Sequence, residues 1–298
     1  MNEKKEHLLL VDGMALLFRA FFATAVHGQF MRSSSGVPTN GINGLLKHLL
    51  TAINTLQPTH VICCWDMGSK TYRTELYPNY KANRSEPPVE LIPQFDLAKD
   101  AVAALNIPNI GVINFEADDC IGTIIEKHHE NMEISVLTGD RDLLQLLKPN
   151  INIVLLQKGI GNYKSYSMES FIEEMGVHPK MLIDIKALMG DTSDNYPGVK
   201  GIGEKTAYKL IAQYESIEML LNNLAELTKG QRTKIEADLD MLHLSRKLAE
   251  INCAAPIEYV LEESVLNIEY DKAEKMMEQL ELKGLESFFK NIITDKVL

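Results

Sequence analysis

Cysteine is scarce and badly placed for cross-linking: Cys63 and Cys64 are adjacent in an apolar run, and Cys120 and Cys253 stand alone. No Cys-x-x-Cys pair occurs, so neither a disulfide framework nor a structural zinc site organises the chain, and buried thiols are expected. Long apolar runs are also lacking. None reaches the ~18 residues of a membrane span, and the start Met1-Asn2-Glu3-Lys4-Lys5-Glu6 has no apolar segment of the secretory kind, which places the chain in the cytoplasm. Positive charge is in deficit, with 30 Lys and Arg against 41 Asp and Glu and a net charge of −11. That balance argues against a uniformly basic nucleic-acid surface. It loses force if the acids are gathered at one cation site, because bound cations neutralise them and a local basic patch can still follow phosphates. No Ser-His or Cys-His arrangement suggests a nucleophile, and no internal repeat is visible. What is present, 298 residues with 45% hydrophobic content, suffices for a full core in one or two domains.

The densest chemical signal is Glu116-Ala117-Asp118-Asp119, three carboxylates in four residues where an apolar strand gives way to an apolar-faced helix. Two carboxylates ~5 Å apart repel by roughly 3 kcal/mol at an effective dielectric near 20, so such a cluster raises its pKa values or takes a cation. The same juxtaposition recurs. Residues 7–11 form an apolar run ending in Asp12, residues 59–65 another ending in Asp66, 109–115 run into Glu116, and 133–139 run into Asp140 and Asp142. Helical spacing follows at 14–22, 45–56, 95–105 and after 119, with a short helical run at 143–147. Alternation of this kind predicts an α/β fold, a mainly parallel sheet flanked by helices, with its site beyond the carboxyl ends of the strands. Each acid is either an N-cap or part of one shared cluster; capping needs a single polar residue per helix, and the third and fourth strands offer three and two acids.

Residues 28–43 read as a loop. Residues 70–93 interleave Lys70, Arg73, Lys81 and Arg84 with Tyr72, Tyr77 and Tyr80, a pattern that suits either a solvated loop or a grip on single-stranded nucleic acid. A strand pair is expected at 151–156 and 163–167, and beyond about 176 the texture is mostly helical, at 181–189, 229–251 and 270–293, with an extended stretch at 257–268. Between them lie Asp191 and Asp194, which on their own read as turn and cap residues. Gly198, Lys200, Gly201, Gly203 and Lys205 follow, a glycine-rich turn opening a helix, suited to clamping a nucleic-acid backbone phosphate. Glu204 stands where a nucleotide-binding P-loop needs glycine before the lysine.

In order, Val11-Asp12-Gly13, Trp65-Asp66, the run from Tyr77 to Arg84, Glu116-Ala117-Asp118-Asp119, Thr138-Gly139-Asp140-Arg141-Asp142, Gly190-Asp191 through Asn195, and Gly198 through Gly203 resemble the bacterial and phage 5′-nuclease family, the flap endonuclease and 5′-3′ exonuclease fold also found at the N-terminus of family A DNA polymerases. The resemblance covers nearly the whole chain. It implies a PIN-like nuclease domain over 1–175, with a helical arch around 70–93, and a helical DNA-binding region over 176–298 with a helix-three-turn-helix around 185–213. It implies one cation at Asp12, Asp66, Glu116, Asp118 and Asp119, a second near Asp140, Asp142, Asp191 and Asp194, and potassium at the glycine-rich turn. Some stand-alone relatives lack acids of the second cluster, and this sequence keeps them. Oxygen-only ligands suit Mg²⁺ or Mn²⁺, and Lys81 and Arg84 would neutralise the scissile phosphate. Lys70, Arg73, Tyr77, Tyr80 and the turn residues are then expected on DNA. The reading is a monomeric Mg²⁺-dependent 5′ nuclease acting on flaps, nicks and primer ends, RNA primers included. A structure-specific DNA-binding protein with little turnover is the alternative; an aspartyl phosphohydrolase lacks its Asp-x-Asp signature, since Met14 follows Asp12-Gly13.

Overall fold

The computed structural model describes residues 6–25, 30–282 and 284–294, the last four without side chains. The charged start before Glu6, and Gly28 and Gln29 at the head of the expected loop, lie outside the described residues. Six strands form one sheet: β1 (His7–Asp12), β2 (His60–Cys64), β3 (Asn109–Ile110), β4 (Glu133–Thr138), β5 (Ile151–Leu156) and β6 (Tyr163–Tyr166), in the order β3-β2-β1-β4-β5-β6. All pairings are parallel except β5 with β6, which is the expected hairpin. The central strands are apolar on both faces because helices cover both, as parallel crossovers require.

Alternation along the strands sorts the side chains. Leu8, Leu10, Ile62 and Cys64 enter the core on one face, and Leu9, Val11, Val61, Cys63 and Trp65 the core on the other. The adjacent cysteines therefore point to opposite sides. Cys63, Cys64 and Cys120 are buried thiols, and no disulfide occurs among the described residues.

Helices α1 (Gly13–Thr24), α2 (Asn40–Leu56), α3 (Tyr72–Leu76), α4 (Gln94–Ala104) and α5 (Ala117–His128) connect the strands, with a 3₁₀ turn at Asp142–Leu146. The C-terminal part carries α6 (Met168–Met175), α7 (Met181–Met189), α8 (Glu204–Tyr214), α9 (Ile217–Asn222), α10 (Lys229–Ala237), α11 (Leu239–Ala249), α12 (Tyr270–Gln279) and α13 (Leu285–Thr294). Side chains of α5, α7 and α8 share one core with a face of the sheet, so the helical region is packed against the strands.

Four expectations are corrected. The third strand is only Asn109–Ile110, because Asn114 takes a left-handed φ of 75° and turns the chain into α5. The 45–56 helix begins at Asn40, where the Gln94 side chain accepts from the Gly41 and Ile42 amides (2.8 and 3.2 Å) and supplies the cap that residue 39 does not. The 229–251 and 270–293 helices each break in two, the first at Asp238, whose carboxylate accepts from the Lys200 amide, and the second before Gly284 at φ 78°. Finally, 70–93 is not a helical arch: beyond α3 it is a series of turns. Lys81 stands at φ 55°, with its amide donating to the Asp194 carbonyl (2.9 Å), which folds the segment down onto the α7–α8 loop.

Candidate active site

The parallel register brings the ends of β1, β2 and β4 side by side, pairing Asp12 with Cys64 and Val11 with Leu137. The residues that follow, Asp66 and Asp140, therefore share an edge with Asp12, and α5 presents Glu116 and Asp118 to the same place. Asp12 is also the N-cap of α1, accepting from the Ala15 amide (2.9 Å), and its other oxygen accepts from the Thr138 hydroxyl (2.8 Å). Capping and cluster membership are thus both true of it. Burial pushes its carboxyl up to about 7, with Asp66 and Asp140 adding to the rise and the two donors opposing it. Asp66 accepts from the Ala117 amide (2.7 Å) and is also raised, mainly by burial. Asp118 has no hydrogen-bond partner among the described residues; burial, then the charges of Asp140, Asp12 and Glu116, hold its carboxyl well above the usual range.

A second group hangs on α7. Lys186 bridges Asp142 and Asp191, the latter at 2.5 Å. Burial and Asp140 push Asp142 up to about 6 despite Lys186. For Asp191 the balance reverses: burial opposes ionisation, but Lys186 and the Ser193 hydroxyl bring it down to about 2. The two groups are joined through the folded-down segment. Lys81 Nζ lies 2.8 Å from Glu116 and Arg84 2.7 Å from Asp194, while the Tyr80 hydroxyl reaches both Asp194 (2.9 Å) and Glu116 (3.3 Å). Among the described residues no three of these side chains close on one point to hold an ion directly. Lysine and arginine instead stand between the acids, a charge-neutralised arrangement that cations of higher charge can replace.

A family model for the 5′-3′ exonuclease N-terminal resolvase-like domain matches residues 7–176, and one for the 5′-3′ exonuclease C-terminal SAM fold matches 177–278. The chain belongs to the 5′-3′ exonuclease family. It is 62% identical over 98% of both chains to the 5′-3′ exonuclease of Bacillus subtilis. It is 38% identical to DNA polymerase I of Lactococcus lactis subsp. cremoris, over 89% of this chain but only 31% of that one. Among solved structures, a bacteriophage T5 5′-exonuclease with bound divalent metal ions superposes with a TM-score of 0.69 at 21% identity, covering 92% of this chain and 98% of that one. The flap endonuclease-1 of Methanococcus jannaschii superposes at 0.59 with 18% identity, covering 98% and 94%. These likenesses bear out the mixed, mainly parallel sheet flanked by helices and the helical C-terminal region.

Within this exonuclease-family fold, three expected site residues are placed otherwise than the sequence suggested. Arg73, expected on DNA, is 2% exposed and forms a two-pronged ion pair with Asp119 (2.8 Å on each prong), also donating to the Leu248 and Glu250 carbonyls. Burial alone would lower its pKa, but Asp119 and Glu116 raise it above its ordinary value. Losing either partner would strand a buried charge, at roughly 3–5 kcal/mol. Asp119, expected on a cation, is fully buried and has each oxygen doubly engaged: one by Arg73 and the Glu116 amide (3.0 Å), the other by Arg73 and the Asn252 amide (2.8 Å). A carboxylate has about four lone-pair sites, so none is left for a metal. Tyr80, expected to stack on bases, is 4% exposed and packs with Tyr77, Tyr196 and Leu248. Lys70, Lys200 and Lys205 are exposed. Gly198 (φ 62°) is packed against Gly190, and the Gly201 carbonyl accepts from the Lys234 ammonium (2.9 Å). Lys186 is the site residue that sequence reading missed; its only signal is that it lies in the last turn of α7, five residues before Asp191 in the loop that follows.

Proposed function

We propose that this edge is the catalytic centre of a divalent-metal-dependent 5′ nuclease that hydrolyses phosphodiester bonds near the 5′ ends of flaps, nicks and primers, RNA primers included, as a cytoplasmic monomer. The observation that carries the reading is Asp118: a carboxylate without a hydrogen-bond partner among the described residues, amid Asp12, Asp140 and Glu116, has the surroundings of a ligand to a hard cation. The donor set is all oxygen and suits Mg²⁺, with Mn²⁺ as a substitute. Asp12, Asp66, Glu116, Asp118 and Asp140 would hold one ion, directly or through water, and Asp142, Asp191 and Asp194 a second. When bound, such ions supply Lewis-acid activation of the phosphoryl group and of the attacking water.

The chain's own residues supply the rest. Lys81 and Arg84, paired here with Glu116 and Asp194, would neutralise the charge that develops on the scissile phosphate. Thr138 and the Ala15 and Ala117 amides hold Asp12 and Asp66 in orientation. Exposed Lys70, Lys200 and Lys205 would follow backbone phosphates, and half-buried Tyr77 would offer part of its ring to DNA. The Gly201 carbonyl accepts from the Lys234 ammonium, and carbonyls of the glycine-rich turn would be the ligands of a potassium ion. Among the described residues no helix is long and apolar enough to cross a membrane. The test is release of the 5′ end from a 5′-labelled flap duplex, with Mg²⁺ and with excess chelator. Cleavage with Mg²⁺ alone is expected; cleavage surviving the chelator, or specific binding of the flap with no cleavage in any divalent ion, would contradict the reading.

A further inference from the structure

Residues 248–255, which lead out of α11, have few backbone partners of their own, yet their polar groups are met by buried side chains from beneath the acid edge. Arg73 donates to the Leu248 and Glu250 carbonyls. Gln145, on the 3₁₀ turn that begins at Asp142, donates to the Ala249 carbonyl (3.1 Å) and accepts from the Ile251 amide (3.0 Å). Asp119 accepts from the Asn252 amide, and Thr123, one turn along α5, accepts from the Ala255 amide (2.9 Å). Arg73 also lies 3.5 Å from Glu116, and Asp119 accepts from the Glu116 amide. One ion pair thus touches, at its two ends, the acid that heads α5 and the chain that leaves α11. Helix α11, from which that chain leaves, packs against α7, the helix that carries Lys186 and runs into Asp191.

We propose that Arg73 and Asp119 form a positioning pair that sets Glu116 and the 248–255 strap in register, so that cation retention at the acid edge depends on how the helical region is seated. Neither residue touches the ion. Arginine is required because only a guanidinium has five donors in a fixed fork, here spread over one carboxylate, two carbonyls and the flank of Glu116. The neighbouring Tyr72 ring, 4.7 Å from the guanidinium carbon, holds the fork in plane. The inference rests on the divalent-cation reading above.

The test is a double-mutant cycle read by calorimetric Mn²⁺ binding in the absence of DNA: wild type, Arg73→Gln, Asp119→Asn and the two together. Each single substitution is expected to weaken Mn²⁺ binding about tenfold, as loss of a ligand's support typically does, and the double variant by about tenfold again in total rather than a hundredfold. Amide exchange at Ile251 and Asn252 should quicken in the same variants. Additive losses, Mn²⁺ binding by Arg73→Gln equal to wild type, or unchanged protection of those amides would overturn the proposal. The double variant leaves no lone buried charge and is therefore informative even if Arg73→Gln does not fold. Binding as strong as in Asp119→Asn alone supports the pairing, and a further about tenfold loss rejects it. A wild type that binds no Mn²⁺ would remove the cation reading together with this one.

Discussion

Asp12 shows how a single residue can satisfy two readings. Its carboxylate caps α1 and also borders Asp66 and Asp140. Asparagine caps a helix about as well as aspartate and removes a carboxylate whose ionisation burial and its acidic neighbours oppose, so Asp12→Asn should leave the metal-free protein at least as stable as wild type while abolishing most of the thermal shift produced by Mg²⁺. Equal shifts in the two proteins, read by calorimetry, would make capping its whole role. His48 supports a different prediction. It is buried, its Nδ1 has no partner among the described residues, and burial, with Arg19, lowers its pKa from the ordinary 6.5. A histidine held neutral in the fold costs stability as pH falls through the unfolded value. The fall in Tm from about pH 7.5 to about pH 5.5 should therefore be smaller in His48→Gln than in wild type. Residue identity made the strand-edge acids legible in the sequence, because they follow apolar runs, whereas Asp191 and Asp194 read as turn residues until the family resemblance joined them. It could not distinguish Asp118 from Asp119, because the second is met by Arg73 from 46 positions away and by the Asn252 amide from 133.

The strands, though not their order, follow from elements that sequence reading could find: apolar runs separated by helical spacing give a parallel sheet, and the sheet places its acids at one edge. Where the reading failed, tertiary partners decided. Gln94 lengthens α2, Asp238 is drawn away by Lys200, and the 70–93 segment follows Asp194 instead of forming the helical arch that the resemblance implied. The loop between α7 and α8 offers a test at this scale. Gly190 has a φ of 75°, and a Cβ there would collide with the Pro197 backbone, while Gly198, at φ 62°, faces it. Gly190→Ala should destabilise the protein by at least about 3 kcal/mol, from left-handed strain together with overpacking, measured by denaturant unfolding. A change below about 1 kcal/mol would mean that the loop is free to reorganise.

For the whole molecule, a net charge of −11 and a nucleic-acid reading are reconciled by separation. Acids and their counterions gather at the strand edge, and exposed lysines lie on the glycine-rich turn and at residue 70. If Lys200 and Lys205 each neutralise one phosphate, replacing either by alanine should reduce the slope of log affinity against log salt by about 1 for duplex DNA with a flap; an unchanged slope would take them off the DNA track. The composition, read alone, argued the opposite way because it averages over a surface whose charges are segregated. The central claim is that cleavage depends on a cation held at Asp118. Its most direct test is the single-turnover rate of 5′-flap cleavage across a Mg²⁺ titration for wild type and Asp118→Asn, with folding checked by circular dichroism. The account predicts a loss of about a hundredfold or more at moderate Mg²⁺ for a correctly folded variant, whereas a variant that cleaves at the wild-type rate throughout the titration would contradict it.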